Sequence, residues 1–367
     1  PNAHLRRFFG EGMNGEYLFL IDEAHNLVER GRSMYSAKLC KEDFLKVKRL
    51  VKDEDAKLAK RISECNQQLL ALKRECEDYQ VLNSVSHIYL KLLNVMGELE
   101  RFLEDCKKEE LRKEVLEFYF DIRRFISTHD RLDENYVIYS ELLQNGYFEV
   151  HLFCVNPAGN LQEFLDKGNS TVFFSATLLP VHYYKRLLST EKDNYAVYAE
   201  SPFDQEKRLL LLGTDVSTKY TRRGEDTYRR YAQYLYQTAL AKRGNYIAFF
   251  PSYRFMEDVH EEFLAIVSEG SENVEDVMQS PYMSEEAREI FLENFEEDRA
   301  NSFMGFCVMG GIFSEGIDLT GEQLIGAVIV GTGLPQVCRE REILKQHFDE
   351  QGFRGFDYAY QNVALES

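Results

Sequence analysis

Between Asn2 and Asn156 the chain has no proline, and between Arg32 and Met96 it has no glycine. Those are the two residues that break helices most reliably, and losing both over such a length commits the region to helical structure. Within it, Leu58, Ile62, Cys65, Leu69, Leu72, Cys76 and Tyr79 recur at alternating spacings of four and three. That spacing sets them along one helix face, as in a coiled-coil seam. A second stripe runs through Val85, Ile88, Leu92, Val95, Leu99 and Leu103, and a third through Val115, Phe118, Ile122 and Phe125. Amphipathic helices of this kind bury their stripes against one another, which predicts an antiparallel bundle over about 110 residues, 40–150. Cys65 and Cys76 fall on the seam and are expected to act as small hydrophobes rather than as ligands.

Outside this stretch the pattern changes to short apolar runs. Tyr17-Leu18-Phe19-Leu20-Ile21 ends in Asp22-Glu23, and its lack of alternation predicts a strand buried on both faces of a parallel sheet. Residues 172–175, 209–212, 246–250, 306–309 and 327–330 read as further buried strands, with helical patterns at Tyr228–Leu240 and Ser284–Phe295 between them. Strand and helix alternating in this way predict parallel α/β sheets. Ala199-Glu200-Ser201-Pro202-Phe203 suits a linker between two of them. The expected organisation is a first α/β domain from 1–39 and 151–198, the helical insertion at 40–150, and a second α/β domain at 199–367.

Length agrees with more than one core, since single cores stop growing near about 250–300 residues. The balance of 44 Lys and Arg against 62 Asp and Glu gives a net charge of −18. That argues against a general nucleic-acid-coating protein, although a local basic groove depends on where charges sit rather than on their sum. No apolar run approaches the roughly 20 residues that span a bilayer, so no membrane partner is expected. The opening Pro1-Asn2-Ala3-His4-Leu5-Arg6-Arg7 lacks the order of a signal peptide. The seven cysteines form no CxxC pair, which favours free thiols in a reducing cytoplasm over a structural zinc site.

Four short motifs carry chemistry. Asp22-Glu23-Ala24-His25 places adjacent acids at a strand's carboxyl end, where ligand chemistry collects in parallel sheets. Phosphoryl transfer to water needs a metal to neutralise phosphate charge and a carboxylate to orient the water, and two neighbouring acids can divide those tasks. Ser175-Ala176-Thr177 follows a second strand, where its hydroxyls could bridge the acidic site to a bound strand or cap a helix. Phe250-Pro251-Ser252-Tyr253 ends a third, and in isolation reads as a plain turn. Gly310-Gly311-Ile312-Phe313-Ser314-Glu315-Gly316-Ile317-Asp318-Leu319 combines glycines, which let amides approach phosphate closely, with the acids Glu315 and Asp318.

In order, these motifs resemble those of the XPD/DinG helicases of superfamily 2. Leu20-Ile21-Asp22-Glu23-Ala24-His25-Asn26-Leu27 resembles the family's DEAH-box motif II, and Phe174-Ser175-Ala176-Thr177-Leu178 its motif III. Phe249-Phe250-Pro251-Ser252-Tyr253 resembles motif IV, Ser314-Glu315-Gly316-Ile317-Asp318 motif V, and Ser201-Pro202-Phe203 the join between the motor domains. The helical insertion between motifs II and III matches the family's Arch domain.

The resemblance implies two RecA-like parallel-sheet domains, the first incomplete, with an all-α Arch-type insertion. It implies an ATP-dependent DNA helicase that moves 5′ to 3′ on single-stranded or forked DNA in repair or replication. ATP and Mg2+ would be its cofactors, with Asp22 and Glu23 serving the metal and water activation and His25 coupling nucleotide state to the second motor. Ser175, Thr177, Glu315, Gly316 and Asp318 would link hydrolysis to movement, while Ser252, Tyr253 and Ser314 would hold the DNA backbone. A DinG-like 3′–5′ exonuclease and a non-catalytic strand-binding remnant are the alternatives. The chain has no GxxxxGK[ST] phosphate loop and no arginine-bearing motif VI, so by itself it is expected not to turn over ATP. An iron–sulfur cluster is not encoded in this segment, and the segment does not say whether the parent has one.

Overall fold

The computed structural model describes residues 17–364 apart from 271–272, 297–298 and 315–316. The chain forms two compact bodies, one from residues up to 196 together with 338–358, the other from 197–337 with 359 onward.

The first body opens with β1 (Leu18–Ile21) and α1 (Asn26–Tyr35). The chain then enters the insertion through β2 (Ala37–Cys40), α2 (Lys41–Val51), α3 (Ala56–Glu75), β3 (Tyr79–Val81), α4 (Ser86–Asp105), α5 (Glu109–His129), β4 (Tyr136–Leu142) and β5 (Phe148–Cys154). It returns by α6 (Ala158–Leu165), β6 (Ser170–Phe173) and α7 (Val181–Leu188). β1 and β6, far apart in sequence, pair in parallel with Leu18 opposite Ser170 and Ile21 opposite Phe173.

The three apolar stripes close the insertion as their spacing predicts. Leu58, Ile62, Cys65, Leu69, Leu92, Val95, Leu99, Val115, Ile122 and Phe125 are all fully buried in one cluster. Asp55 starts α3 by accepting the backbone N–H groups of Lys57 and Leu58, both at 3.0 Å, which satisfies two of the helix's orphan donors. Both seam cysteines are buried, and burial pushes the Cys65 thiol up to about 12.

The expectation of an all-α insertion is corrected. Four antiparallel strands in the order β2-β5-β4-β3 form its floor, and Leu39, Phe148, Val150 and Leu152 share the helices' core. The cause is local. Residues 136–154 carry β-branched and aromatic side chains on either side of Asn145-Gly146, a hairpin signal. Gly146 turns there at φ 81°, and Asn145 Oδ1 accepts the Tyr147 N–H at 2.9 Å.

A second correction concerns β1 and β6, which are not buried on both faces. Leu18, Leu20 and Val172 are 61, 65 and 46% exposed, because nothing among the described residues covers that side of the two-stranded sheet.

The second body contains α8 (Glu225–Ala241), β7 (Asn245–Phe250), α9 (Tyr253–Glu269), β8 (Val274–Met278), α10 (Glu285–Glu293), β9 (Ser302–Val308) and β10 (Gly326–Ile329). Its four strands are all parallel, in the order β10-β7-β9-β8. β7 and β9 are buried almost throughout, with aromatic and aliphatic cores on either side of the sheet. The α/β class with parallel sheets is therefore as expected. The four leucines at 209–212 form no strand, however, and are 67–81% exposed. An apolar run signals a need for burial without naming a partner strand, and among the described residues none pairs with this one. A last helix, α11 (Arg339–Glu350), belongs to the first body.

Candidate functional site

Parallel pairing of β1 with β6 brings two of the sequence motifs together. The ladder runs past both strand ends: Phe174 donates its N–H to the Ile21 carbonyl at 3.0 Å, and Ala24 donates to the Phe174 carbonyl at 3.2 Å. Asp22-Glu23 and Ser175 therefore lie side by side at the carboxyl edge of the sheet. Ser175 Oγ donates to Glu23 Oε2 at 3.0 Å and lies 2.8 Å from His25 Nδ1, while His25 Nδ1 is 3.3 Å from the same carboxylate oxygen. A carboxylate can only accept, so the serine's one proton points to Glu23. The His25–Ser175 bond then requires the proton on Nδ1.

The acids themselves are exposed, whereas His25 is buried at 4%. The outer part of the trio can thus meet solvent or a ligand while its hinge is packed. Glu23 adopts φ 46°, in the left-handed region that a non-glycine side chain enters at a cost of about 1–3 kcal/mol. Its N–H bonds Asp22 Oδ1 at 2.7 Å and its carbonyl accepts from Asn26 at 3.0 Å, which together with Ser175 hold the strained turn. Thr177 is at the margin, its hydroxyl 3.4 Å from that of Ser175. Two exposed carboxylates form an all-oxygen donor pair that suits Mg2+, a cation that keeps most of its waters.

In the second body, the loops after β7 and β9 also lie beside one another. Ser252 caps α9 by accepting the Phe255 N–H at 3.3 Å. Tyr253 accepts a bond from Gln279 Nε2 at 2.9 Å, and Gln279 Oε1 accepts the Val308 N–H at 3.0 Å. Ser314 Oγ donates to the Val308 carbonyl at 3.2 Å. Gln279, only 2% exposed, thus ties the turn containing Ser252 and Tyr253 to the glycine loop. Sequence reasoning missed it; its signal was a lone amide at the carboxyl end of a strand.

The glycines of this loop have structural reasons of their own. Gly310 turns at φ 66°, and a Cβ on Gly311 would come within 2.8 Å of the Val308 carbonyl oxygen. Asp318 is exposed, and Glu315 and Gly316 lie outside the described residues.

A second missed residue is Arg32, on the helix that begins after His25. It is 1% exposed, donates from Nε to the Val155 carbonyl at 3.0 Å and from Nη1 to Glu29 at 2.9 Å. Burial works against its charge, but Glu29 and Tyr183 outweigh it and hold the guanidinium above the usual arginine range. Arg32 joins the segment entering the insertion to the segment leaving it.

Residues 235–367 match the family of helicase C-terminal domains. A probable ATP-dependent helicase of Methanocaldococcus jannaschii is 24% identical over 75% of this chain and 44% of its own length. The ATP-dependent DNA helicase XPD of Sulfolobus acidocaldarius is also 24% identical, over 66% of this chain and 43% of its own. This chain thus spans less than half the length of these curated relatives. Among solved structures, apo XPD superposes over 99% of this chain and 71% of its own with a TM-score of 0.58 at 20% identity. An Xpd protein of S. tokodaii does so over 95% and 66%, with a TM-score of 0.56 at 16% identity. The parallel α/β sheets share the fold of these solved structures. The chain is thus similar to helicase C-terminal domains over residues 235–367 and to XPD-type helicases over most of its length.

Proposed function

We propose that this chain is the DEAH-bearing portion of an ATP-dependent DNA helicase that moves 5′ to 3′ along single-stranded DNA in repair or replication. The bonding of Ser175 to both Glu23 and His25 carries this reading, because it connects the hydrolytic acid to a second motif by direct contact. In this reading Asp22 holds Mg2+ through water and Glu23 orients the attacking water. Mg2+, when bound with ATP, supplies neutralisation of the phosphate charge. Loss of the γ-phosphate changes the demand on Glu23, and Ser175 passes that change to His25. Thr177 supports Ser175, while Glu315, Gly316 and Asp318 link hydrolysis to movement. Ser252, Tyr253 and Ser314 hold the DNA backbone, giving sequence-independent, salt-sensitive binding. Residues 40–150 serve as the Arch over the strand. This 367-residue chain supplies acid and coupling groups but no phosphate loop, so it does not turn over ATP by itself.

The test uses the protein at its native length on a forked duplex. Glu23→Gln should lower ATP hydrolysis by about 100-fold or more with ATP binding retained. Ser175→Ala should lower strand separation more than hydrolysis. Release of intact strands only with ATP supports the helicase; shortened strands without ATP would instead establish a nuclease.

A further inference from the structure

The insertion's sheet gathers a second group of donors that the motor chemistry does not use. Glu141 stands opposite Glu149 across β4 and β5, and Tyr139 opposite His151; Lys38 of β2 is the other neighbour of His151. Residues two apart share a face of a strand, so all five side chains project from the same side of the sheet. One ligand atom from each of Glu141, Glu149 and His151 lies within 4.8 Å of the others. His151 Nε2 is 3.1 Å from Glu141 Oε1 and 3.1 Å from Glu149 Oε2.

We propose that Glu141, Glu149 and His151 form a binding site for a divalent transition-metal ion, preferentially Zn2+, on the floor of the insertion. The first argument is the state of the imidazole. His151 is 8% exposed, and its Nε2 is buried without a hydrogen-bond partner, although two carboxylate oxygens stand close by. Both oxygens lie off the line of the ring N–H. A simple imidazolium ion pair would aim its proton at one of them. An ion on the ring nitrogen's axis, flanked by the two oxygens, satisfies all three atoms.

Distance is the second argument. Tetrahedral bonds of about 2.0 Å set ligand atoms about 3.3 Å apart, close to both observed nitrogen–oxygen separations. Three protein donors match the count of an open zinc site with water in the fourth position, and the imidazole nitrogen disfavours Mg2+ and Ca2+.

The surroundings orient the ligands. Arg339 Nη1 holds the other Glu141 oxygen at 2.9 Å, and the Tyr139 ring stacks on His151 at 4.4 Å and 8°. Lys38 is the competitor, with its ammonium 2.9 and 3.0 Å from the Glu149 oxygens. Its side chain is 59% exposed, so it can swing into water when an ion enters.

The test uses this chain stripped of metal and titrated with Zn2+ and with Co2+. The expected result is about one ion per chain, with Co2+ giving the intense visible absorption of a tetrahedral site. His151→Gln and Glu149→Gln should each weaken binding by about tenfold or more. Lys38→Met should tighten it several-fold, which a purely ion-paired cluster would not do. Absence of the Co2+ band in the folded wild-type chain overturns the proposal, whatever the variants do. So does binding that His151→Gln and Glu149→Gln leave unchanged in proteins with wild-type circular dichroism. Neither result bears on the helicase reading, which rests on other residues.

Discussion

The insertion and the sheet carrying Asp22 and Glu23 treat their apolar surfaces in opposite ways. In the insertion, stripes from four helices and the inner face of an antiparallel floor close on each other, leaving Ile62, Leu92, Val95 and Phe125 without exposure. At β1 and β6, alternate side chains stay in the open, Leu20 at 65%. The difference separates two ways of treating apolar surface within one body. The insertion has a complete core of its own, while the strands beneath the acids are positioned chiefly by their ladder and by contacts at its carboxyl edge. Arg32 sits at the boundary, bonded to the chain where it leaves the insertion.

The sharpest way to break this contrast is paired truncation. Phe125→Ala should destabilise the first body by about 4 kcal/mol, the cost of a cavity in a packed core. Leu20→Ser should change it by less than about 0.5 kcal/mol, as at other exposed positions. Urea unfolding measures both, and equal effects would erase the distinction. Next in size is Arg32→Ala, expected to cost about 3 kcal/mol because it empties a buried site and leaves the Val155 carbonyl without its donor. Hydrogen exchange should then rise first at residues 33–37 and 153–156; an unchanged pattern there would separate Arg32 from the boundary role.

The smallest effect refines the insertion's own account. Burial pushes the Glu42 carboxyl up, but the Lys73 ammonium and the Phe148 N–H, both at 2.9 Å, outweigh it and hold it below its usual range. A depressed folded-state value gives stability that is present above the unfolded value and lost as pH falls through the folded one. Glu42→Gln should therefore cost about 1–2 kcal/mol at pH 7. In urea unfolding the gap from wild type should shrink toward zero on acidification to about pH 3.

Much of the insertion was legible because a helix stripe is a local, periodic signal. Its floor was harder to see. The hairpin at Asn145-Gly146 was present in the sequence, but the absence of proline favoured a helical reading of residues that β-branched and aromatic content made strands. The four leucines at 209–212 misled for another reason, since hydrophobicity states a preference for burial and not its location. In the candidate site, Asp22, Glu23, His25 and Ser175 could be picked by residue type at strand ends. Arg32 could not, because nothing local distinguishes a buried guanidinium from an exposed one, and Gln279 offered only a lone amide after a strand.

The sequence by itself determined the helix seams, the strand-then-acid motif and the order of the motifs, because each depends on residues near in the chain. Only the tertiary structure decided that Ser175 meets Glu23 and His25 and that Glu141, Glu149 and His151 share one face. These groups converge through pairing of strands distant in sequence or set in register by a turn. Such pairings are fixed by the packing of whole elements, and no spacing along the chain encodes the distance between two side chains that they bring together.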